Sequence, residues 1–284
     1  MKARLTTRVK RYSPRMESRQ TASSPLVVVL LWTFVLIGVD VSHAANSDTA
    51  TVPWYRARIV AHKPFPRENF TQGLEIVAGE LYVSSGLYGK SAVRVYRWPD
   101  MVLERDTLLP KQFFAEGLTL INESLYVLTW REGRLLLLDP KTLQVNGAMQ
   151  NGGEGWGLTH HGNTLWLSDG SNRLTRLDLS TPTPTVSTIE VTLAGKALRR
   201  LNELEWVDGE IWANVWQTDT IARINPSTGT VTGMIDAQGL LQADDRLRDT
   251  DVLNGIARDP ETGQVWVTGK RWPKMFQIVL EAQN

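Results

Sequence analysis

Short runs of alternating apolar and polar residues dominate the chain, and the same runs return five times. The segments QGLEIVAGELYVSSG, EGLTLINESLYVLTW, WGLTHHGNTLWLSDG, NELEWVDGEIWANVW and NGIARDPETGQVWVTGK align with one another. They begin at Gln72, Glu116, Trp156, Asn202 and Asn254, spaced by 44, 40, 46 and 52 residues. Each opens on a polar or aromatic residue, usually followed by glycine, and runs into an apolar strand. A turn follows (VAGE, INES, HHGN, VDGE, PETG), then a second strand built on LYV, LYV, LWL, IWA or VWV. A third strand is predicted in AVRVYRW, RLLLLD, RLTRLDL, TIARIN and KMFQIVL, and a fourth in VLERDTLL, QVNGAM, TVSTIEVTL and VTGMID. Period-two alternation broken by turn residues is the signature of strands, not helices.

Four short strands in every repeat of this length is the pattern of a β-propeller blade. The repeat therefore predicts an all-β fold, a five-bladed β-propeller. The last repeat ends after its third strand. The unmatched N-terminal segment YRARIVAH, residues 55–62, is expected to supply the missing fourth strand, closing the ring and covering an open sheet edge. A two-sheet sandwich would also show short strands and turns, but not this repeat. One segment breaks the regularity: MIDAQGLLQADDRLRDTD, residues 234–251. It is polar and acidic, and reads as an inserted loop, partly helical, over one face.

The repeat places residues as well as strands. In a propeller, equivalent positions of successive blades ring the central axis. Gln72, Glu116, Trp156, Asn202 and Asn254, each expected just before an inner strand, would then face one another at one mouth of the channel. Fourteen residues on lie Gly86, Trp130, Gly170 and Trp216, and two extra turn residues move the last equivalent to Lys270. The second strand runs back antiparallel, so its end returns to the same mouth. Glu116, Trp130, Trp216 and Lys270 are thus expected to converge, where loop ends on a rigid scaffold commonly form sites. The bland alternative is a merely polar, hydrated mouth. Trp166, Trp212 and Trp266 sit mid-strand and read as core between blades, whereas Trp130 and Trp216 lie beyond the apolar triplet beside polar residues.

Charge and composition narrow the classes. The first 44 residues look like a targeting sequence. Lys2, Arg4, Arg8, Lys10, Arg11, Arg15 and Arg19 precede an uncharged run, Leu26 to Val39, and Ser42-His43-Ala44 offers small residues two apart. That is the pattern of a secretory signal cleaved after Ala44. The apolar run is short for a membrane span, which needs about 20 residues, although an uncleaved N-terminal anchor is the alternative. Residues 45–284 are expected to form one catalytic domain. Seven of 31 Lys+Arg and two of 30 Asp+Glu fall in the first 44 residues, leaving 24 against 28 and a net charge near −4. A net-acidic chain lacks the basic footprint of a nucleic-acid binder. There is no cysteine, hence no thiolate metal site, and His62, His160 and His161 lack zinc-ligand spacing. No metal or other cofactor is expected.

At this point the motifs resemble a known family, the plant- and bacterial-type glutaminyl-peptide cyclotransferases, which are five-bladed propellers. The matching stretches are FTQGL (70–74), GLYGKSAVR (86–94), FAEGLT (114–119), LTWREG (128–133), GEGWGLT (153–159), LSDGS (167–171), RLNELEWVDGEIWANVWQTDTIARI (200–224), VLNGIA (252–257) and VTGKRWPKMFQI (267–278). The resemblance runs from about Phe65 to Val279. It implies conversion of N-terminal glutamine in peptides or proteins to pyroglutamate with release of ammonia, without the zinc of the animal type. It implies that Glu116 is the catalytic acid, assisted by Lys270. The substrate pocket implied is Phe70, Phe114, Trp130, Trp156 and Trp216, with Gln72 and Asn202 as polar partners.

The implied chemistry suits these residue types. The α-amine must attack its own γ-amide carbon, which needs a neutral amine, a stabilised oxyanion and a protonated leaving nitrogen. Glu116 beside aromatic rings would have its pKa raised by desolvation, as a proton shuttle requires. Lys270, Gln72 or Asn202 could stabilise the oxyanion. Two other readings stay open from sequence: a metal-dependent, lactonase-like hydrolase in which Glu116, Asn202 and Asn254 grip calcium, and a peptide-binding propeller without turnover. The expected product is an exported monomer, periplasmic or extracellular, acting on peptides and free of the membrane once its signal is removed.

Overall fold

The computed structural model describes residues 51–283. The predicted N-terminal signal lies outside the described residues. The first strand, β1, is Trp54–Pro64. Four strands then form an antiparallel meander: β2 (Thr71–Val77), β3 (Glu80–Ser85), β4 (Ala92–Arg97) and β5 (Val102–Leu108). A second meander is β6 (Ala115–Ile121), β7 (Ser124–Thr129), β8 (Arg134–Leu138) and β9 (Val145–Gln150), and a third is β10 (Leu158–His161), β11 (Thr164–Ser168), β12 (Arg173–Asp178) and β13 (Thr185–Glu190). A small hairpin that the pattern did not predict follows, β14 (Thr192–Leu193) with β15 (Lys196–Ala197). Next come β16 (Leu201–Val207), β17 (Glu210–Val215), β18 (Thr220–Ile224) and β19 (Val231–Asp236), then β20 (Leu253–Arg258), β21 (Val265–Gly269) and β22 (Lys274–Ala282).

The last seven strands and β1 share one eight-stranded sheet, ordered β16-β17-β18-β19-β1-β22-β21-β20. β1 lies antiparallel to β22 from Tyr55 to Pro64, making it the fourth strand beside β20–β22. Its first residues also pair parallel with β19, Trp54 opposite Met234. This N-terminal strand thus covers two sheet edges, which would otherwise be open templates for pairing.

The leading strands touch in a cycle: β2 with β6, β6 with β10, β10 with β16, β16 with β20, and β20 with β2. This is the propeller arrangement. The core follows the same cycle. Apolar clusters fill each junction: Tyr82 and Val95 meet Leu118 and Val127, Leu128 meets Leu158, and Trp166 meets Leu204 and Ile211. Trp212 packs with Ile256 and Val267, while Trp266 packs with Leu74 and Leu81. The three mid-strand tryptophans are core residues between sheets, as their placement inside apolar triplets predicted.

Local chemistry explains the hairpins. Ala78-Gly79, Asn122-Glu123 and Asp208-Gly209 take positive φ at both turn positions, the type I′ geometry that matches strand twist in two-residue loops. Near the axis, strands approach so closely that side chains are excluded. A Cβ on Gly157 would meet the Asn202 carbonyl oxygen at 2.0 Å, and one on Gly117 the Leu158 nitrogen at 2.3 Å. This steric limit is why glycine follows the opening residue in most repeats.

The segment expected as an insertion is shorter than predicted. Met234, Ile235 and Asp236 belong to β19, and only a single 3-10 turn, Ala243–Asp245, is helical. Leu240 and Leu241 bury themselves in the core. Lys274 grips Asp245 at 2.7 Å, and Arg67 donates to the carbonyl oxygens of Asp245 and Arg271 and to Thr250. The loop is therefore tied down along its length.

Candidate active site

The opening residues of the repeats do not precede the inner strands; in four of five they are the second residue of the strand. There the pairing slips: register shifts fall between Thr71 and Gly73, Ala115 and Leu118, Leu201 and Leu204, and Leu253 and Ile256. A β-bulge re-aims the side chain it carries, so Gln72, Glu116 and Asn202 leave the ladder. β10 begins later, and Trp156 stands two residues before it.

The return of the second strand is closed by backbone hydrogen bonds. Gly86 donates to the Phe70 carbonyl at 2.9 Å, Trp130 to Phe114 at 3.0 Å, Trp216 to Arg200 at 2.8 Å and Lys270 to Val252 at 2.9 Å. Around these joins lies a cavity of about 350 Å³, lined by Phe70, Gln72, Phe114, Glu116, Trp130, Trp156, Asn202, Trp216 and Lys270 together with Gln217, Asp251 and Val252. A volume of that size suits one small ligand. The nine residues expected as catalytic or substrate-binding are brought together.

Asn254 departs from the expected ring. Its amide nitrogen donates to the Thr71 carbonyl at 3.0 Å and to Gln72 Oε1 at 3.4 Å. It sits behind Gln72 and does not line the cavity.

Aromatic rings form the walls edge to face. Phe114 stands 5.4 Å from Trp130 at 62° and 6.5 Å from Phe70 at 86°, and Trp156 stands 5.3 Å from Trp216 at 81°. Edge-to-face packing is the favourable arrangement of ring quadrupoles. Two glycines of the second ring give these walls room. A Cβ on Gly86 would meet Phe114 Cε1 at 2.2 Å, and one on Gly170 would meet the Trp156 ring at 2.7 Å.

Two charged groups are buried at this mouth. Glu116 is 5% exposed and Lys270 6%. Burial pushes the Glu116 carboxyl well above the usual carboxylate range; Lys270 opposes this, and Glu154 and Glu132 add to it. Burial also lowers the Lys270 ammonium, against the pull of Glu116 and Asp251. The Lys270 Nζ lies 5.0 Å from the Phe70 ring centroid, a cation–π contact. Among the described residues no group donates a hydrogen bond to the Glu116 carboxylate, and no ion pair within 4 Å joins it to Lys270. The Asn202 Oδ1 is likewise buried without a partner. Unmet polar groups in an aromatic-walled cavity are available to a ligand.

The backbone beneath Glu116 is rigid. Its carbonyl accepts from the Ser84 hydroxyl of the preceding meander, and Gly117 donates to the Trp156 carbonyl of the next at 2.7 Å. Gln217, Asp251 and Val252 were not foreseen. Val252 stands two residues before Asn254, the station held by Phe70 and Phe114 in their repeats, so alignment could have found it. Asp251 belongs to the irregular loop, where the repeat gives no register. Its backbone N–H donates to the Lys270 carbonyl at 3.0 Å, and its own carbonyl accepts from the Trp272 indole at 2.9 Å.

Comparisons with known proteins agree on one family. Residues 32–280 match the family model described as glutamine cyclotransferase. The chain is 39% identical over 249 residues to a glutaminyl-peptide cyclotransferase of Arabidopsis thaliana, covering 86% of this chain and 74% of that one. The crystal structure of Myxococcus xanthus glutaminyl cyclase matches with a TM-score of 0.75 at 33% identity, covering 82% of this chain and 99% of that one.

Proposed function

The chain belongs to the glutamine cyclotransferase family, and from that premise we propose that it closes N-terminal glutamine of peptides to pyroglutamate in the aromatic cavity, with Glu116 as the proton shuttle. The observation that carries this assignment is a buried carboxyl, raised in pKa and unbonded, at the base of a ring-walled cavity.

The steps follow from that placement. A peptide α-amine has a pKa of about 8, so it arrives at neutral pH largely as an ammonium. Glu116, whose own affinity for a proton is raised, takes that proton with little energetic mismatch. The neutral amine attacks the γ-carbonyl carbon; the N–C bond forms as the carbonyl electrons move to oxygen. When the oxyanion collapses, the bond to the amide nitrogen breaks and Glu116 gives its proton to the departing nitrogen; the regenerated carboxylate then takes the second proton of the attacking nitrogen and passes it on, so the ammonia leaves as ammonium. One acid thus serves both halves, and proton count is conserved.

The oxyanion needs a donor. Lys270 is buried near Glu116 in the same cavity, and we assign it this role, with the amides of Gln72 and Asn202 orienting the substrate. A well-placed donor of this kind is worth about 3–4 kcal/mol of transition-state stabilisation. The walls of Phe70, Phe114, Trp130, Trp156 and Trp216 fold the flexible glutamine side chain toward its own amine and exclude water, which would otherwise hydrolyse the amide.

Export of the chain is part of the proposal. Residues 1–44 act as a secretory signal, residues 45–284 work as one catalytic domain in the periplasm or outside the cell, and the active species is a monomer. Among the described residues no helix is long and apolar enough to cross a membrane. N-terminal sequencing of the exported protein and its mass in solution check these points.

The test of function is direct. Purified protein is incubated with peptides beginning in glutamine, and ammonia release is followed together with the mass loss of one ammonia. Turnover in the parent and its loss in Glu116→Gln is the expected result. Equal rates in both would remove Glu116 from the chemistry, and binding without turnover in the parent would leave only a peptide-binding propeller.

A further inference from the structure

Glu154 lies outside both rings predicted from the repeat, yet it joins two walls of the cavity. Its Oε2 accepts the indole N–H of Trp130 at 3.0 Å and that of Trp156 at 3.2 Å. These tryptophans come from different meanders. The Trp130 end is fixed from the other side as well: the Arg131 guanidinium stacks over the Trp130 ring at 3.8 Å and stands 3.5 Å from Glu154 Oε1. One carboxylate thus holds two indoles and a stacked cation.

Resting on the cyclotransferase reading of the cavity, we infer that Glu154 is a positioning residue, which fixes Trp130 and Trp156 at the angle that folds the glutamine side chain against its own amine. An indole ring pivots about two bonds, and edge-to-face contacts alone leave it several orientations. A shared acceptor on both N–H groups removes that freedom and couples the two rings as a unit. The repeat explains why this station was available. Glu154 occupies the place that Phe70, Phe114, Arg200 and Val252 hold in the other repeats, two residues before the opening residue. In this meander a carboxylate replaces the wall residue and faces the neighbouring indole instead. The same negative charge adds to the forces that raise the proton affinity of Glu116, which gives the role an electrical readout that packing alone would not have.

The experiment compares Glu154→Leu and Glu154→Gln with the parent on a glutamine-initiated peptide. Indole N–H resonances are read in tryptophan-labelled protein and assigned with Trp130→Phe and Trp156→Phe. Leucine removes the acceptor: kcat/KM is expected to fall by about 10- to 100-fold, and both indole protons to lose their protection from exchange, with the fold intact by circular dichroism. Glutamine keeps an acceptor oxygen and should recover most of the rate and both protected protons. Because glutamine lacks the charge, the limb of the pH–rate profile set by Glu116 should move to lower pH.

Leucine leaving both rate and protection unchanged would overturn the inference, as would glutamine falling as far as leucine. Should the leucine variant not fold, unprotected indoles or an unmoved pH limb in the glutamine variant would overturn it alone. The indole readout needs no turnover. Failure of the cyclotransferase reading, seen as an inactive parent, is therefore distinguishable from failure of this one.

Discussion

Trp130 gives its backbone N–H to the carbonyl oxygen of Phe114 at 3.0 Å, and this bond explains how a carboxylate and a distant tryptophan share one cavity. It closes the out-and-back strand pair β6–β7 at the channel mouth. Glu116, the second residue of β6, is then turned out by the bulge between Ala115 and Leu118. The acid is delivered by the strand and the ring by its return.

Removal of the shuttle should be severe. In Glu116→Gln the amide cannot take the amine's proton, and kcat is expected to fall by about 10²–10⁴, with KM changed far less. Steady-state ammonia release, with circular dichroism to verify the fold, measures it.

Lys270→Met should act twice. Loss of the oxyanion donor is expected to lower kcat by about 10²–10³. Lys270 also holds the Glu116 pKa down against burial, so without it the Glu116 limb of the pH–rate profile should move to higher pH. A limb that stays in place would show that the two charges do not sense each other.

The walls depend on glycine. In Gly86→Ala the new methyl meets the Phe114 ring, which must shift into the cavity. Overpacking of this kind is expected to destabilise by about 1–3 kcal/mol and to raise KM more than it lowers kcat. Thermal melting and a full kinetic curve separate the two effects.

Stability should decline as pH rises from the acid side toward neutrality. Burial raises Glu75 to about 8 and pushes Glu203 and Glu205 upward as well. A carboxyl with a folded pKa above its unfolded value binds its proton more tightly in the folded state. Its contribution is therefore full below the unfolded value of 4.5 and is lost as pH climbs through the folded one, here about 8. The slope is at most about 1.4 kcal/mol per pH unit for each such group. Glu75→Gln should keep an acceptor for the Leu120 N–H, 2.6 Å away in the parent, while flattening the dependence of melting temperature on pH. An unchanged slope would clear Glu75 of this role.

Much of this was legible beforehand because the repeat is local. Alternating side chains and turn residues are decided within a few positions, so strands such as Ala92–Arg97 and Val231–Asp236 were readable from AVRVYRW and VTGMID. Counting along aligned repeats was enough to gather Gln72, Glu116, Trp130, Trp156, Asn202, Trp216 and Lys270, while Phe70 and Phe114 came with the family resemblance. It failed for Asn254, which has the right station but turns its amide to Thr71 and Gln72. It failed also for Glu154 and Asp251, one unlike its counterparts in the other repeats and one in a loop without a repeat.

The amino-acid sequence by itself determined the period-two strands, their grouping and the stations of Glu116, Trp130 and Lys270, because hydrophobic alternation and turn geometry act between neighbours along the chain. Only the tertiary structure decided what those stations became. Glu116 and Lys270 are 154 residues apart in sequence, and their shifted proton affinities exist because closure of the ring buries both in one cavity. The orientation of the walls was decided there too, where one Glu154 oxygen accepts from indoles of two meanders. Burial and charge act through space, at distances that no spacing along the chain records.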